Sequence, residues 1–238
     1  LDNETLGYVR RVVDNNRHRA YANQRSVSLR GVRELQALFG CRELEEVASG
    51  VVGVPLTVHP MALEHAHVNL QADSTSPGAD RRGAVDPWHT DYVPFVMIFM
   101  IHKGRPDDES GRLSTRRFGR YSLRPGDALL AQGSHVEHQA EPCEDGGRIT
   151  LVVSLVPPID CVDMTRVRPD ALPYSPDEPL LAQARAHRLG RLRRQGALLD
   201  ALADDAPSAA LDHRLALLED DLGRWKRLAP VGRLRMPA

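Results

Sequence analysis

The chain has few cysteines, and their placement excludes two kinds of stabilising site. Cys41, Cys143 and Cys161 are far apart and odd in number, and none belongs to a Cys-X-X-Cys pair. This pattern argues against a disulfide framework and against a structural zinc site. It favours a reducing compartment, so we expect a cytoplasmic protein.

Long apolar runs and an excess of charge are also missing. The longest apolar run, residues 95–101, has the length of a strand, whereas a helix needs about 20 apolar residues to span a bilayer. The net charge is -1, so no overall field attracts the protein to nucleic acid or anionic lipid. We therefore expect neither a membrane nor a nucleic-acid partner.

The composition is that of an ordinary soluble domain. Apolar residues make up 42% of the 238 residues and charged residues 26%, which is typical of globular proteins. This length suits a single domain. We predict a mainly helical flank at 1–50, a β core at 51–156, and a connector with a helical cap at 157–238.

The N-terminal flank shows helical periodicity. Leu6, Val9, Val12 and Val13 recur at helical spacing and predict an amphipathic helix over residues 3–21. Residues 31–39 and 42–48 predict two short helices that are separated at Gly40-Cys41.

The β core is predicted to begin at residues 51–58, which are rich in β-branched side chains. Residues 64–71 then alternate, so that His65, His67, Asn69 and Gln71 share one strand face. That face is either the lining of a pocket or an exposed sheet surface. A polar loop follows at 72–84. Further strands are predicted at 94–102, 112–114, 117–123, 128–131, 136–140 and 148–156.

Short strands at this frequency, punctuated by Gly and Pro, predict a sandwich or jelly roll. The fold class is therefore α+β and mainly β. After an irregular connector at 160–176, apolar stripes predict two helices, at 179–203 and 211–228. They are expected to cap the barrel or to form a homodimer contact. The basic run at 185–194 predicts a solvated helix face.

The chemistry concentrates between Trp88 and Arg148. His89 and Asp91 are two residues apart, so on an extended segment both side chains project to the same side. A second imidazole would complete a two-histidine, one-carboxylate set that leaves other metal positions open, as in non-haem iron sites. His135 and His138 compete for this place; we choose His138, because the turn after it leads to Arg148.

Several motifs in this order resemble a known signature. The sequences W-H-T-D, P-G-D-A-L-L, H-Q-A-E-P and G-R-I-T-L-V-V-S are similar to those of the iron(II)/2-oxoglutarate-dependent oxygenases, over about residues 51–156. The resemblance implies a double-stranded β-helix (jelly-roll) core with iron(II), 2-oxoglutarate and O2. It makes His89, Asp91 and His138 the iron ligands.

The same resemblance assigns the co-substrate site. Arg148 would hold the distal carboxylate of 2-oxoglutarate, Thr150 would add a hydroxyl bond, and Asn69 or Gln71 would help to hold the co-substrate. An arginine suits this role because its planar fork gives bidentate hydrogen bonds to a carboxylate.

The layout also resembles, more weakly, the bacterial enzymes that hydroxylate or halogenate free amino acids. Asp91 stands where the halogenases carry a small residue, so chlorination is not expected. We predict a dioxygenase that oxidises a C–H bond of a small amino-acid-like metabolite, by hydroxylation, and forms succinate and CO2. Desaturation, cyclisation by the same site, and a non-catalytic jelly-roll binding module are the alternatives.

Overall fold

The computed structural model describes residues 1–22, 27–71, 86–105, 109–143, 147–158, 178–201 and 208–228. The predicted loop at 72–84 and the predicted connector at 160–176 lie outside them. The described residues form two antiparallel sheets with flanking helices. This arrangement confirms the predicted α+β jelly-roll class. No described helix combines the length and apolarity that a membrane crossing requires.

The N-terminal helices begin and end where local signals place them. The Asp2 carboxylate accepts a hydrogen bond from the Thr5 amide and caps the first helix. That helix ends before the predicted residue 21, and a short 3-10 turn follows it. The helices are α1 (Asn3–Asn16), the 3-10 turn (Arg17–Arg19), α2 (Arg33–Phe39), α3 (Arg42–Val52) and α4 (Ala62–His65).

The strands match most of the predicted positions, and those at 128–131 and 148–156 match at both ends. They are β1 (Tyr21–Ala22), β2 (Val27–Leu29), β3 (Thr57–Val58), β4 (His67–Gln71), β5 (Asp86–His89), β6 (Phe95–Lys103), β7 (Leu113–Thr115), β8 (Gly119–Tyr121), β9 (Ala128–Ala131), β10 (His138–Ala140) and β11 (Arg148–Val156).

The larger sheet has the order β1-β2-β4-β11-β6-β9, and β3 also pairs with β11. The smaller sheet has the order β5-β10-β7-β8. Alternate residues of β4, β6 and β11 pack under α1, α2 and α3 in one apolar core. The other face of these strands is therefore the interior of the jelly roll, which we call the inner face.

The predicted strand at 51–58 is wrong over most of its length. Helix α3 continues to Val52 and ends at Gly53, whose φ of 78° is the left-handed conformation that glycine adopts readily. Leu44 and Ala48 bury one side of α3, so helical periodicity prevails over the β-branched composition. His65 belongs to α4 rather than to the strand, because β4 begins at His67.

The last two helices are α5 (Glu178–Asp200) and α6 (Ser208–Leu228). Helix α5 caps the segment before β4. The Gln183 side chain accepts a hydrogen bond from the Leu63 amide (3.0 Å). Ala184 packs with Met61, and the His59 and His187 rings lie 4.8 Å apart.

The basic run on α5, which its sequence predicted to be a solvated face, is solvated only in part: Arg193 and Arg194 are exposed, whereas two other arginines are buried. Arg188 and Arg191 are 1% and 3% exposed. Both bond to the buried Asp221 of α6, Arg191 through Nε at 3.0 Å. The predicted apolar stripe of α6 instead points outward, since Leu211 and Leu215 are exposed.

Candidate metal centre

Three of the predicted site residues meet at one end of the smaller sheet. His138 of β10 lies directly opposite His89 of β5, and their ring centroids are 4.4 Å apart. Asp91 follows β5 by two residues. One ligand atom from each of the three side chains lies within 4.8 Å of the others.

Main-chain carbonyls set the direction of both imidazoles. Nδ1 of His89 bonds to the Pro87 carbonyl (2.7 Å), and Nδ1 of His138 bonds to the Val136 carbonyl (2.8 Å). A carbonyl only accepts, so Nδ1 carries the proton and Nε2 is left as the ligand atom. These Nε2 atoms lie 3.4 and 3.7 Å from the Asp91 carboxylate oxygens.

A glycine makes room for the carboxylate. The Asp91 amide donates to the Gly133 carbonyl (2.9 Å). A Cβ atom at position 133 would lie 2.9 Å from Asp91 Cβ, and closer still to Oδ2. Only glycine therefore leaves Asp91 in this position.

The charges of the three groups reinforce one another. Burial lowers the pKa of His89, but the hydrogen bond to Asp91 and the charges of Asp86 and Asp91 outweigh burial and raise it. Burial raises the pKa of Asp91, yet the bond to His89 and the nearby imidazoles bring it below its usual value. The cluster therefore holds an ionised carboxylate.

This donor set fits iron(II). Two imidazole nitrogens and one carboxylate oxygen on one side form the facial arrangement that leaves positions open for a co-substrate and dioxygen. His135 is exposed, and its Nδ1 bonds to Ser134 (2.8 Å). The structure thus brings His138, and not His135, into the cluster.

The inner face of β11 carries the predicted co-substrate residues. Arg148 and Thr150 are each 8% exposed. Arg148 donates from Nη1 to the Gly111 carbonyl (2.8 Å), and no described carboxylate lies within ion-pair distance of it. Burial lowers the pKa of Arg148, partly offset by Cys143 and Asp86. A buried guanidinium in this state is a ready site for an anion.

Asn69 and Gln71 share this face. Gln71 lies opposite Arg148, and Asn69 lies opposite Thr150. The Asn69 Oδ1 accepts from Ser28 (3.0 Å), which leaves the Asn69 amide NH2 for the interior. The Gln71 Oε1 is buried and has no hydrogen-bond partner among the described residues. The strand face predicted at 64–71 is thus an interior lining from His67 onward.

Other side chains close to the ligand motifs in sequence make their contacts elsewhere. Phe95 packs with the outer apolar core and does not line the site. Arg116 stacks over Trp88 (3.9 Å) and pairs with Glu137. Arg116 is exposed, as are Arg117 and Arg120.

Four interior residues were not predicted as one group. The Glu64 carboxylate accepts hydrogen bonds from Arg30, Tyr92 and Ser154, the last at 3.4 Å. We call Arg30, Glu64, Tyr92 and Ser154 the Glu64 cluster. Its members lie up to 124 residues apart (154 − 30), so no local motif indicates the contact.

No protein-family profile matches the chain. No curated protein matches it either. Solved structures do. The non-heme α-ketoglutarate-dependent carbocyclase SnoK from nogalamycin biosynthesis matches with a TM-score of 0.50 and 14% identity, over 65% of this chain and 76% of SnoK. AviO1 from Streptomyces viridochromogenes matches with a TM-score of 0.48 and 13% identity, over 66% of this chain and 86% of AviO1.

At this identity the likeness to SnoK shows a shared fold. The chain therefore has the fold of a non-heme oxygenase that uses α-ketoglutarate (2-oxoglutarate), as its motifs predicted. The His-Asp-His cluster fits iron(II) with the same co-substrate and O2.

Proposed function

We propose that this protein is an iron(II)/2-oxoglutarate-dependent oxygenase that hydroxylates a C–H bond of a small, amino-acid-like metabolite. One observation carries the proposal. A buried arginine without an anionic partner among the described residues, Arg148, shares the jelly-roll interior with a His-Asp-His cluster. Each feature alone has structural explanations, but together they match a metal and a dicarboxylate bound side by side.

The side chains divide the work. His89, Asp91 and His138 hold the metal through two Nε2 atoms and a carboxylate. Arg148 and Thr150 hold the far carboxylate of 2-oxoglutarate. When bound, iron(II) and 2-oxoglutarate supply the oxidation: R–H, O2 and 2-oxoglutarate become R–OH, succinate and CO2.

Finer parts of the proposal concern the surroundings. A free amino acid or derivative is the proposed substrate. A cytoplasmic location follows from the cysteine pattern. A homodimer through the C-terminal helices is supported by Leu211, Leu215 and Leu222 of α6, which are 41%, 42% and 41% exposed at helical spacing.

The first test is spectroscopic. Anaerobic addition of iron(II) and 2-oxoglutarate should give a weak visible charge-transfer band, and Asp91→Ala should abolish it. Absence of the band in the parent protein, with no succinate formed in air, would favour a non-catalytic binding module.

The second test identifies the reaction. Free amino acids are screened for 2-oxoglutarate consumption, and the product is weighed by mass spectrometry. A gain of one oxygen supports hydroxylation, whereas loss of two hydrogens shows desaturation or cyclisation.

A further inference from the structure

The Glu64 cluster forms a wall without net charge beside the metal ligands. Glu64 is 2% exposed, and its carboxylate pairs with the Arg30 guanidinium. Tyr92, the residue after the ligand Asp91, donates its hydroxyl to the same carboxylate. Arg30 and Glu64 contribute one positive and one negative charge, so the cluster has no net charge, and the acceptor oxygens of Glu64 are occupied.

His67 stands beside this cluster with an unused hydrogen-bonding atom. Its side chain is 10% exposed, and its Nδ1 is 3.9 Å from the nearer Glu64 oxygen, which is too far for a hydrogen bond. That Nδ1 is buried and has no partner among the described residues. Buried polar atoms are rarely left unpaired, so a missing partner calls for an explanation.

The position of His67 brings its imidazole near the metal ligands. His67 lies opposite Val152 on the inner face, and the charge of Asp91 acts on its imidazole. Along β4 it is four residues from Gln71, the residue that faces Arg148. At about 3.4 Å per residue that separation is roughly 14 Å. His67 therefore lies well away from the proposed carboxylate site.

The surroundings of His67 also fix its charge. Burial, followed by the charge of Arg30, lowers the pKa of His67 well below its ordinary value, so that the ring is neutral at physiological pH. A neutral imidazole offers one N–H donor and one nitrogen acceptor. It has no charge with which to attract a carboxylate.

We propose that His67 is a substrate-binding residue, and that the substrate turns a neutral hydrogen-bonding group, such as a hydroxyl or amide, towards it. This inference rests on the proposed oxygenase function. Glu64 and Arg30 position the wall behind the imidazole. The charged ends of an amino-acid-like substrate then lie away from His67, and the carbon near its neutral group faces the metal.

The test uses three small three-carbon probes of different charge: propan-1-ol, propanoate and propylammonium. The protein carries zinc(II) in place of iron(II), 2-oxoglutarate to occupy Arg148, and 15N-labelled histidine. We expect propanol to shift the His67 ring resonance, with an apparent affinity at least about tenfold above that of either ion. Equal or stronger shifts with propanoate, or no shift with propanol, would overturn the inference.

Variants separate this inference from the proposed function. His67→Leu should remove the assigned resonance and keep the charge-transfer band with iron(II) and 2-oxoglutarate, whereas His135→Leu should leave the propanol shift intact. If the parent protein gave the charge-transfer band and His67→Leu did not, His67 would contribute to binding of the co-substrate, and its proposed role in substrate binding would be refuted. Absence of the band in the parent protein would instead refute the oxygenase proposal.

Discussion

Gly133→Ala should damage the metal centre without adding a charge or removing a ligand. The new methyl carbon would lie 2.9 Å from Asp91 Cβ and 3.1 Å from Asp91 Cγ, well inside the usual carbon contact of about 3.5 Å. The Asp91 backbone is held by its bond to the Gly133 carbonyl. The carboxylate must therefore retreat from the two imidazoles.

The expected loss is large for metal binding and moderate for stability. Disturbing the support of a metal ligand typically costs about 10–100-fold in affinity. Overpacking a buried site costs about 1–3 kcal/mol, and each kcal/mol lowers the melting temperature by about 2–4 °C in a chain of this size. Zinc(II) affinity is measured by chelator competition, and the metal-free melting temperature is measured by calorimetry.

The matched control is Gly50→Ala on α3, because a Cβ there meets no atom within 4 Å. It should stabilise the helix by about 0.5–1 kcal/mol and leave zinc affinity unchanged. If Gly133→Ala bound zinc within twofold of the parent protein, Asp91 would not be the ligand that this geometry indicates.

Four further outcomes are expected. Arg148→Ala should weaken 2-oxoglutarate binding at least tenfold, whereas an unchanged Kd would refute the co-substrate assignment. His138→Ala should abolish iron-dependent turnover and His135→Ala should be mild; the reverse order would show that the wrong imidazole was chosen. Because the pKa of His89 is raised, protons should compete with the metal from a higher pH than at an ordinary histidine, so that apparent zinc affinity falls early on acidification; an apparent affinity that stays constant until the pH is below the ordinary histidine pKa would contradict this. Asp221→Leu removes the carboxylate that two buried arginines share and should cost about 3–5 kcal/mol in unfolding free energy, measured by denaturant titration; a loss under 1 kcal/mol would contradict this.

The sequence predicts those features that depend on local pattern. Alternate residues of an extended segment share one face. This spacing predicts which side chains of β11 face inward, and it predicts that His89 and Asp91 lie together. Antiparallel pairing then places His138 opposite His89. The division into one domain remains a prediction.

Contacts between side chains that are distant in sequence could not be predicted from local patterns. The sequence of α5 alone predicts a solvated basic face. In the structure, Asp221 of α6 pairs with Arg188 and Arg191. The partnership of Arg30 with Glu64 joins β2's end to α4. In both cases a charged side chain is buried because a residue distant in sequence supplies the opposite charge. The periodicity of one segment cannot predict such a contact.

The seating of α5 on the segment before β4 has a consequence for the order in which the site is built during synthesis. The metal ligands lie between residues 89 and 138, whereas Leu63 is held by Gln183. Domains generally fold as units during synthesis. The contact that holds Leu63 therefore cannot form until Gln183 has been synthesised, long after the three metal ligands, so a nascent chain that stalls before α5 would lack this support next to Glu64.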